Sequence, residues 1–537
     1  MPAKYIIVCG GVISGCGKGV ASASIALLLK LRGHKVNYIK MDAYLSVNSG
    51  VLNPQEHGET YVLDDGWETD LDLGHMERIA SIPMSQKNIC TAGTLYKEII
   101  TRQEKGEWLG RTLQTVPHLT NLIQQRISDV DTDADVIVVE IGGTVGDIES
   151  AAFYEAIRQF KHQHDGDVLI IMVAPILFIP TINEYKTKPL QNAVKQLQQC
   201  GINPDMLLCR VDKDVSSKML NKVAEMTGVD RESIFNSPDV SSIYQVPVEF
   251  YDRHIDDAIV DLLHLKRTSC LIHKHKNLIN KQLNCELTIA VFGKYDNADS
   301  YISIKEALFH AGMGNSCKIN IHWIKSDDLE TSNNINVFFQ GVDAVIVPGG
   351  FDSRGIEGKI KAITYVRENK IPFLGICLGL QCAVIEAARN LCKLDADSTE
   401  FNKDTPNPVI HYVKGQESVS VKSASMRLGA YDCDLSILES SLALDVYGKK
   451  MISERHRHRY EVNDEYAGKL AENGFLVSGR NPGSNLIEIM ELDRKIHPYF
   501  IGTQSHPEFK SSLVSPSLLF VNLVKAAIVH RHKDING

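Results

Sequence analysis

The sequence predicts an α/β chain of two tandem domains, each built on a mostly parallel sheet flanked by helices. Three observations carry this expectation. Short runs rich in Val, Ile and Leu alternate with helix-period segments from the first residues onward, the pattern of parallel strands buried on both faces. The rhythm restarts after a polar, basic stretch, "KRTSCLIHKHKNLINKQLN", at 266–284. A chain of 537 residues also exceeds what one hydrophobic core normally holds. The expected domains are 1–270 and 286–537, with a linker at 271–285.

In the first domain "YIIVCGG" reads as a buried strand, "GVASASIALLLKLRG" as a helix stopped by Gly33, and "KVNYIKMD" as the next strand. "ADVIVVEIGG", "DVLIIMVAP" and "PDMLLCRV" continue the series. The second domain supplies "CELTIAVFGKY", "KINIHWIK", "VDAVIVPGGF" and "IPFLGICLG", with "TSNNINV" (331–337) as an internal loop. No repeat or low-complexity tract interrupts either series.

Composition narrows the class. A net charge of -9 gives no overall attraction to nucleic acid. The chain starts as a strand running into a glycine turn, without the apolar core and cleavage site of a leader. No apolar run approaches the ~20 residues that span a bilayer. The 12 cysteines lack paired metal-type spacing, and Cys9 and Cys209 sit inside apolar strands. That suits free thiols in a reducing compartment. We expect a cytoplasmic protein with neither nucleic-acid nor membrane partners.

The segment "VISGCGKG" follows the first strand and opens a helix. Glycines there turn the backbone N–H groups inward, the helix N-terminus adds positive potential, and Lys18 can reach terminal phosphates. The match to G-x-x-x-x-G-K-[ST] is partial, because Val12 replaces a glycine and Gly19 replaces the hydroxyl residue. With no hydroxyl at 19, Mg²⁺ needs carboxylates from other strand ends. Asp70 and Asp72 in "ETDLDLGHMER" and Glu140 in "VVEIGGTVGDIES" are the candidates. In "NEYKTKPLQNAVKQL", lysines flank Thr187 before a helix whose first turn holds Pro189, a place suited to a second anion or simply a solvated helix start.

Cys377 stands between a buried strand and a helix, the elbow arrangement of a nucleophile, where the helix N-terminus favours the thiolate. A small buried hydrophobe is the ordinary alternative, and Cys382 and Cys392 fit that description better. "PYFIGTQSHPEF" offers a base, His506, and an orienting carboxylate, Glu508, with Pro507 restraining the turn between them. "VIVPGGF" ends a strand in paired glycines whose N–H groups could receive an oxyanion.

"PGGF", "GICLGLQ" and "SHPEF" resemble the class I (triad) glutamine amidotransferases. The whole chain resembles the CTP synthase family, through "GGVISGCGKG", "ETDLDLGHMERI", "GEWLGRTLQTVPHLT", "EIGGTVGDIES", "EYKTKPLQ", "GFDSRGIEGK", "STEF", "MRLG" and "ERHRHRYEVN" in the family's order. The resemblance implies conversion of UTP, ATP and glutamine to CTP, ADP, phosphate and glutamate through a 4-phosphorylated UTP intermediate, as the last step of de novo CTP synthesis. It implies a P-loop-like synthetase domain and an amidotransferase domain, GTP as activator, CTP as feedback inhibitor, and a homotetramer with possible filament formation.

Residue by residue, the resemblance implies Cys377 as nucleophile, His506 as base and Glu508 as orienter. Gly350, Leu378, Gln381, Glu400 and Arg459 would hold glutamine, which makes "ERHRHRYE" a substrate arginine with solvated neighbours. Gly15, Cys16, Gly17, Lys18, Gly19, Val20 and Asp72 would hold ATP, Lys40 would support phosphoryl transfer, and Asp72 and Glu140 would hold Mg²⁺. Ser14, Asp147, Ile148, Glu149, Lys186, Thr187, Lys188, Pro189, Leu190, Gln191 and Lys222 would contact UTP or CTP. Asp352, where the family often has glycine, Leu190, where it has a polar residue, and the short loop "YDNADSYIS" depart from the pattern. A different glutamine-dependent ligase and a non-catalytic filament-forming relative are the competing readings.

Overall fold

Seven apolar segments of the N-terminal half pair into one sheet in the computed structural model, which describes residues 3–48, 50, 58–295, 298–412 and 426–536. They are β1 (Lys4–Gly10), β2 (Val36–Asp42), β3 (Ile89–Thr91), β4 (Val136–Ile141), β5 (Val168–Pro175), β6 (Met206–Val211) and β7 (Ile234–Pro238). Their order is β7-β6-β5-β1-β4-β2-β3, and every pairing is parallel. The central strands are buried on both faces, so they read as unbroken apolar runs. β1 lies where the winding direction reverses, and the C-terminal ends of β1, β4 and β5 frame a crevice there. Helix α1 (Lys18–Leu31) leaves β1 through the glycine turn, and α2 (Lys188–Gln199) follows β5.

This sheet belongs to a unit made of residues 1–49 and 72–280, while 50–71 and 281–537 form a second unit. The basic stretch expected as linker contains a helix, His273–Ile279, in the first unit.

The second unit is built on β8 (Cys285–Gly293), β9 (Cys317–Lys325), β10 (Ala344–Val347), β11 (Phe373–Ile376), β12 (Arg427–Asp434), β13 (Met451–His458), β14 (Phe475–Arg480), β15 (Ile487–Leu492) and β16 (Phe500–Thr503). Their order is β9-β8-β10-β11-β16-β15-β14-β12-β13. The pairings from β9 to β16 are parallel and the rest antiparallel. Helices α3 (Ile356–Asn369), α4 (Leu378–Asn390) and α5 (Leu518–Asn536) accompany the sheet. A hairpin of Tyr61–Val62 and Glu68–Thr69 also belongs here, although its sequence interrupts the first unit.

The expectation of free thiols throughout is corrected at one pair. Cys285 and Cys317 face each other in register at the start of β8 and β9 and are disulfide-bonded. The other ten cysteines are free. Cys382 packs fully in the core, whereas Cys392 lies beyond the end of α4 and is half-buried. Among the described residues, no helix is long and apolar enough to cross a membrane.

Candidate functional site

β11 delivers Cys377 and α4 carries the chain away from it. Cys377 adopts φ 52° and ψ −104°, a conformation that L-residues avoid and that clusters at functional sites. The flanking glycines make the turn possible. A Cβ on Gly375 would stand 2.8 Å from the Gly379 backbone, and one on Gly379 would stand 1.9 Å from the Val347 carbonyl oxygen. G-I-C-L-G is therefore the sequence of a strand-to-helix turn too tight for side chains on either side. The Cys377 N–H donates to the Thr503 carbonyl at 2.7 Å and locks the turn to the neighbouring strand.

That neighbour, β16, runs parallel to β11 with Thr503 opposite Ile376. The residues after both strands therefore emerge at one sheet edge, and His506 arrives beside Cys377. His506 Nδ1 lies 2.7 Å from Glu508 Oε1, and its ring stacks on Phe509. Burial alone would lower the imidazole, but the charges of Glu508 and Cys377 reverse this and push it up to about 10. On the other side β10 ends in Pro348-Gly349-Gly350. A Cβ on Gly349 would stand 2.8 Å from His506 Cε1 and 3.5 Å from Cys377 Cβ, so only glycine closes over the pair. The nucleophile thus comes from one strand end, the base and its orienting acceptor from the neighbouring one, and the glycine pair after β10 closes over them.

A cavity of about 250 Å³ opens on this edge, lined by Cys377, His506, Glu508, Gly350, Lys294 and Arg457 among others. Lys294 donates to the Phe351 and Asp352 carbonyls and, at 2.7 Å, to Asp352 Oδ1, which fixes the loop after the glycine pair. Asp352 sits at φ 68°, a left-handed position that suits glycine. Its carboxylate accepts from the Arg354 N–H at 2.9 Å, the local bond that makes this conformation tolerable for Asp. Leu378, Gln381, Glu400 and Arg459 stand around the cavity outside that lining. Glu400 Oε1 accepts from the Asp352 N–H at 3.3 Å, and burial pushes its carboxyl up. Arg459 lies 5.6 Å over the Phe351 ring, with a buried Nε that has no hydrogen-bond partner among the described residues.

The neighbours of Arg459 are not solvated, which corrects the sequence expectation. β13 is a strand, so successive side chains take opposite faces. His456 and His458 turn into the interior, 3.1 Å apart (Nδ1 to Nε2), beside the Arg427–Glu488 ion pair. Arg455 pairs with Asp64 at 2.6 Å and Arg457 with Glu68 at 2.9 Å, which pins the 61–69 hairpin. Sequence reasoning missed this use of the motif, although its strict alternation of Arg and His was the available signal.

In the first unit, Val12, Gly15 and Gly17 all have positive φ, and Lys18 is buried with its Nζ 2.8 Å from the Gly143 carbonyl. Gly19 has a structural reason: a Cβ there would stand 2.3 Å from Asp72 Oδ1. The carboxylate of Asp72 occupies the place that a P-loop hydroxyl would take. Lys40 is opposite Glu140 in the β2–β4 register, and its Nζ bridges Glu140 Oε1 at 2.7 Å and the Asp72 carboxylate. Burial would deprotonate Lys40, but Asp72 and Glu140 hold it charged well above the ordinary lysine value. Burial would also raise Asp72, and the Lys40 ammonium holds it below its usual value instead. Two hard oxygen donors drawn to one cation fit Mg²⁺, which Asp72 and Glu140 would hold. Among the described residues no three His, Cys, Asp or Glu side chains gather into a self-sufficient metal cage.

Two cavities flank this loop. One, about 350 Å³, is lined by Val12, Lys188, Pro189 and Gln196. The other, about 410 Å³, joins Gly15 and Cys16 to Phe178, Arg210, Asp212 and Asp239. Arg210 and Asp239, 2.6 Å apart, were missed by sequence reasoning. The signal was a charged residue inside the apolar run "MLLCRV". Cys16 is buried under the loop with its Sγ 3.7 Å from the Val173 carbonyl oxygen, and burial pushes its thiol up. Ser14 and Ile148 are exposed, and Asp147 accepts from the Thr144 N–H and hydroxyl, both at 2.8 Å. Glu149 lies in the short turn Ile148–Ser150, and Val20 in the first turn of α1. Lys186 pairs with Glu184, Thr187 bonds Gln191 at 2.9 Å, and Lys222 stands exposed on the helix Ser217–Thr227. Leu190 is fully buried, with its side chain packed in the core.

The comparisons with known proteins agree with both halves. The family described as CTP synthase N-terminus matches residues 4–265, and the family described as glutamine amidotransferase class-I matches 297–526. A CTP synthase of Methanococcus maripaludis is 47% identical over 534 residues, which covers 98% of this chain and 99% of that one. The chain belongs to the CTP synthase family. A CTP synthase of Syntrophus aciditrophicus is 46% identical over 538 residues, covering 99% of each chain. The glutaminase domain of Trypanosoma brucei CTPS with bound acivicin aligns with 45% of this chain and 94% of that one, at 33% identity and a TM-score of 0.42. Within this CTP synthase family member, Asp352 and Leu190 depart from the expected pattern, and the geometry above accommodates both. Residues 296 and 297 of the short loop lie outside the described residues.

Proposed function

We propose that the chain makes CTP from UTP, with ATP as phosphoryl donor and glutamine as nitrogen source. The observation that supports this most strongly is a strained cysteine elbow beside a His–Glu pair, in a chain whose other unit carries a phosphate loop flanked by two cavities.

In the second unit Cys377 attacks the side-chain carbonyl of glutamine as a thiolate. The N–H groups of Gly350 and Leu378 receive the oxyanion. His506, held protonated by Glu508 and by the thiolate, gives its proton to the leaving ammonia. Once the thioester forms, the sulfur no longer carries charge, and one of the two causes that keep the imidazole protonated is gone. His506 then takes a proton from the water that hydrolyses the thioester. Glu400 and Arg459 hold the ammonium and carboxylate of the substrate, an arrangement suited to a zwitterion. Both protons of the Gln381 amide nitrogen are used internally, so its Oε1 is the atom left to accept from the substrate.

In the first unit the loop 15–20 cradles ATP, with Lys18 on its phosphates and the cavity beside Arg210 receiving the base. Ser14, Lys186–Gln191, Asp147–Glu149 and Lys222 serve UTP and the inhibitor CTP, with Leu190 contributing only packing. Asp72 and Glu140 hold Mg²⁺, which supplies charge neutralisation of the phosphates. Lys40 adds a positive charge that stabilises the phosphoryl group in flight. Phosphorylation of the uracil 4-oxygen turns a poor leaving group into a good one, and ammonia displaces phosphate. GTP activation, CTP feedback, a homotetramer and a cytoplasmic location complete the reading. Incubation with UTP, ATP, Mg²⁺ and glutamine, following CTP by absorbance, tests it. CTP formation is expected, and no product with or without GTP would contradict it.

A further inference from the structure

Gln504 belongs to the stretch "GTQSHPEF" but has no part in the triad. It is completely buried, and its Nε2 lies 3.6 Å from Cys377 Sγ. Its orientation follows from its neighbours. Gln381 Nε2 lies 2.9 Å from the Tyr460 carbonyl oxygen, which can only accept, so the amide nitrogen of Gln381 must point that way. The second proton on that nitrogen goes to Gln504 Oε1 at 3.2 Å. With its oxygen committed, Gln504 presents its nitrogen to the sulfur. Its backbone is fixed in turn by an N–H bond to the Glu488 carbonyl at 2.7 Å.

We propose that Gln504 is a further catalytic residue, whose side-chain amide donates a hydrogen bond to the Cys377 thiolate and is aimed by Gln381. This rests on the reading of Cys377 as the glutaminase nucleophile. A donor at the sulfur stabilises the thiolate as nucleophile and again as the group expelled from the thioester. His506 and Lys359 are the charged groups that also act on the thiol, from the loop after β16 and from α3. Gln504 adds a neutral, oriented donor.

The test uses the full-length protein with Gln504→Leu and the isosteric Gln504→Glu. Iodoacetamide alkylation of Cys377, followed across pH by peptide mass spectrometry, gives a midpoint. That midpoint rises by about one unit in Gln504→Leu and further in Gln504→Glu, where an acceptor faces the thiolate. The glutaminase kcat falls about tenfold with little change in KM for glutamine. Ammonia-dependent CTP formation is retained and reports an intact fold. If Gln504→Leu fails to fold, Gln504→Glu decides alone. An unchanged alkylation midpoint, or loss of stability without a shifted midpoint, overturns the proposal. Full glutaminase activity in Cys377→Ser would instead overturn the reading on which it rests.

Discussion

A side chain at position 19 would place its Cβ 2.3 Å from Asp72 Oδ1. The phosphate loop and its acidic partner are therefore one packed unit, and the loop's departure from the usual hydroxyl residue is a consequence of that carboxylate. Gly19→Ser restores the hydroxyl residue of the P-loop pattern, with Val12 still departing from it, and is nevertheless expected to displace Asp72. CTP formation from either glutamine or ammonia should fall roughly 100-fold, the usual cost of a misplacement of about 1 Å. Glutaminase activity, measured as glutamate release, should survive.

Lys40 bridges Asp72 and Glu140, and it is buried together with Glu140. Lys40→Met removes the ammonium that the two carboxylates share. Breaking a buried pair in this way costs about 3 kcal/mol, so the urea midpoint of the first unit should fall, with phosphoryl transfer lost in parallel. Lys40→Met combined with Glu140→Gln should recover much of the stability and none of the CTP formation.

The imidazole of His506 is raised from 6.5 to about 10. Because its folded value lies above its unfolded one, the protonated ring stabilises the fold fully below about pH 6.5. That contribution is lost as pH rises through about 10. Thermal unfolding of the wild type and His506→Gln between these limits should show a difference in Tm that narrows steadily with rising pH. A difference that widens would contradict the assigned charge state.

Strand ends carried most of what was legible in the sequence. Cys377, His506 and Lys18 each lie shortly after an apolar strand run and within two residues of a glycine or proline, so their place at a sheet edge could be read locally. Glu140 was legible for the same reason, but its pairing with Lys40 needed the β2–β4 register, which no single segment contains. The 61–69 hairpin was illegible because its allegiance to the second unit depends on Arg455 and Arg457, nearly four hundred residues away. His456 and His458 were misjudged for a related reason. A basic cluster reads as solvated until the strand that bears it is known to have two covered faces. Cys285 and Cys317 look like two ordinary apolar-strand cysteines, and only the parallel register of β8 and β9 brings them together.

The central claim is that one unit releases ammonia at Cys377 and the other consumes it at a nucleotide. Cys377→Ala tests this most directly, by assaying CTP formation in the same preparation with glutamine and then with ammonium chloride as nitrogen source. The account predicts loss of glutamine-dependent synthesis with ammonia-dependent synthesis close to wild type. Equal loss of both in a folded protein, or survival of glutamine-dependent synthesis, would contradict it.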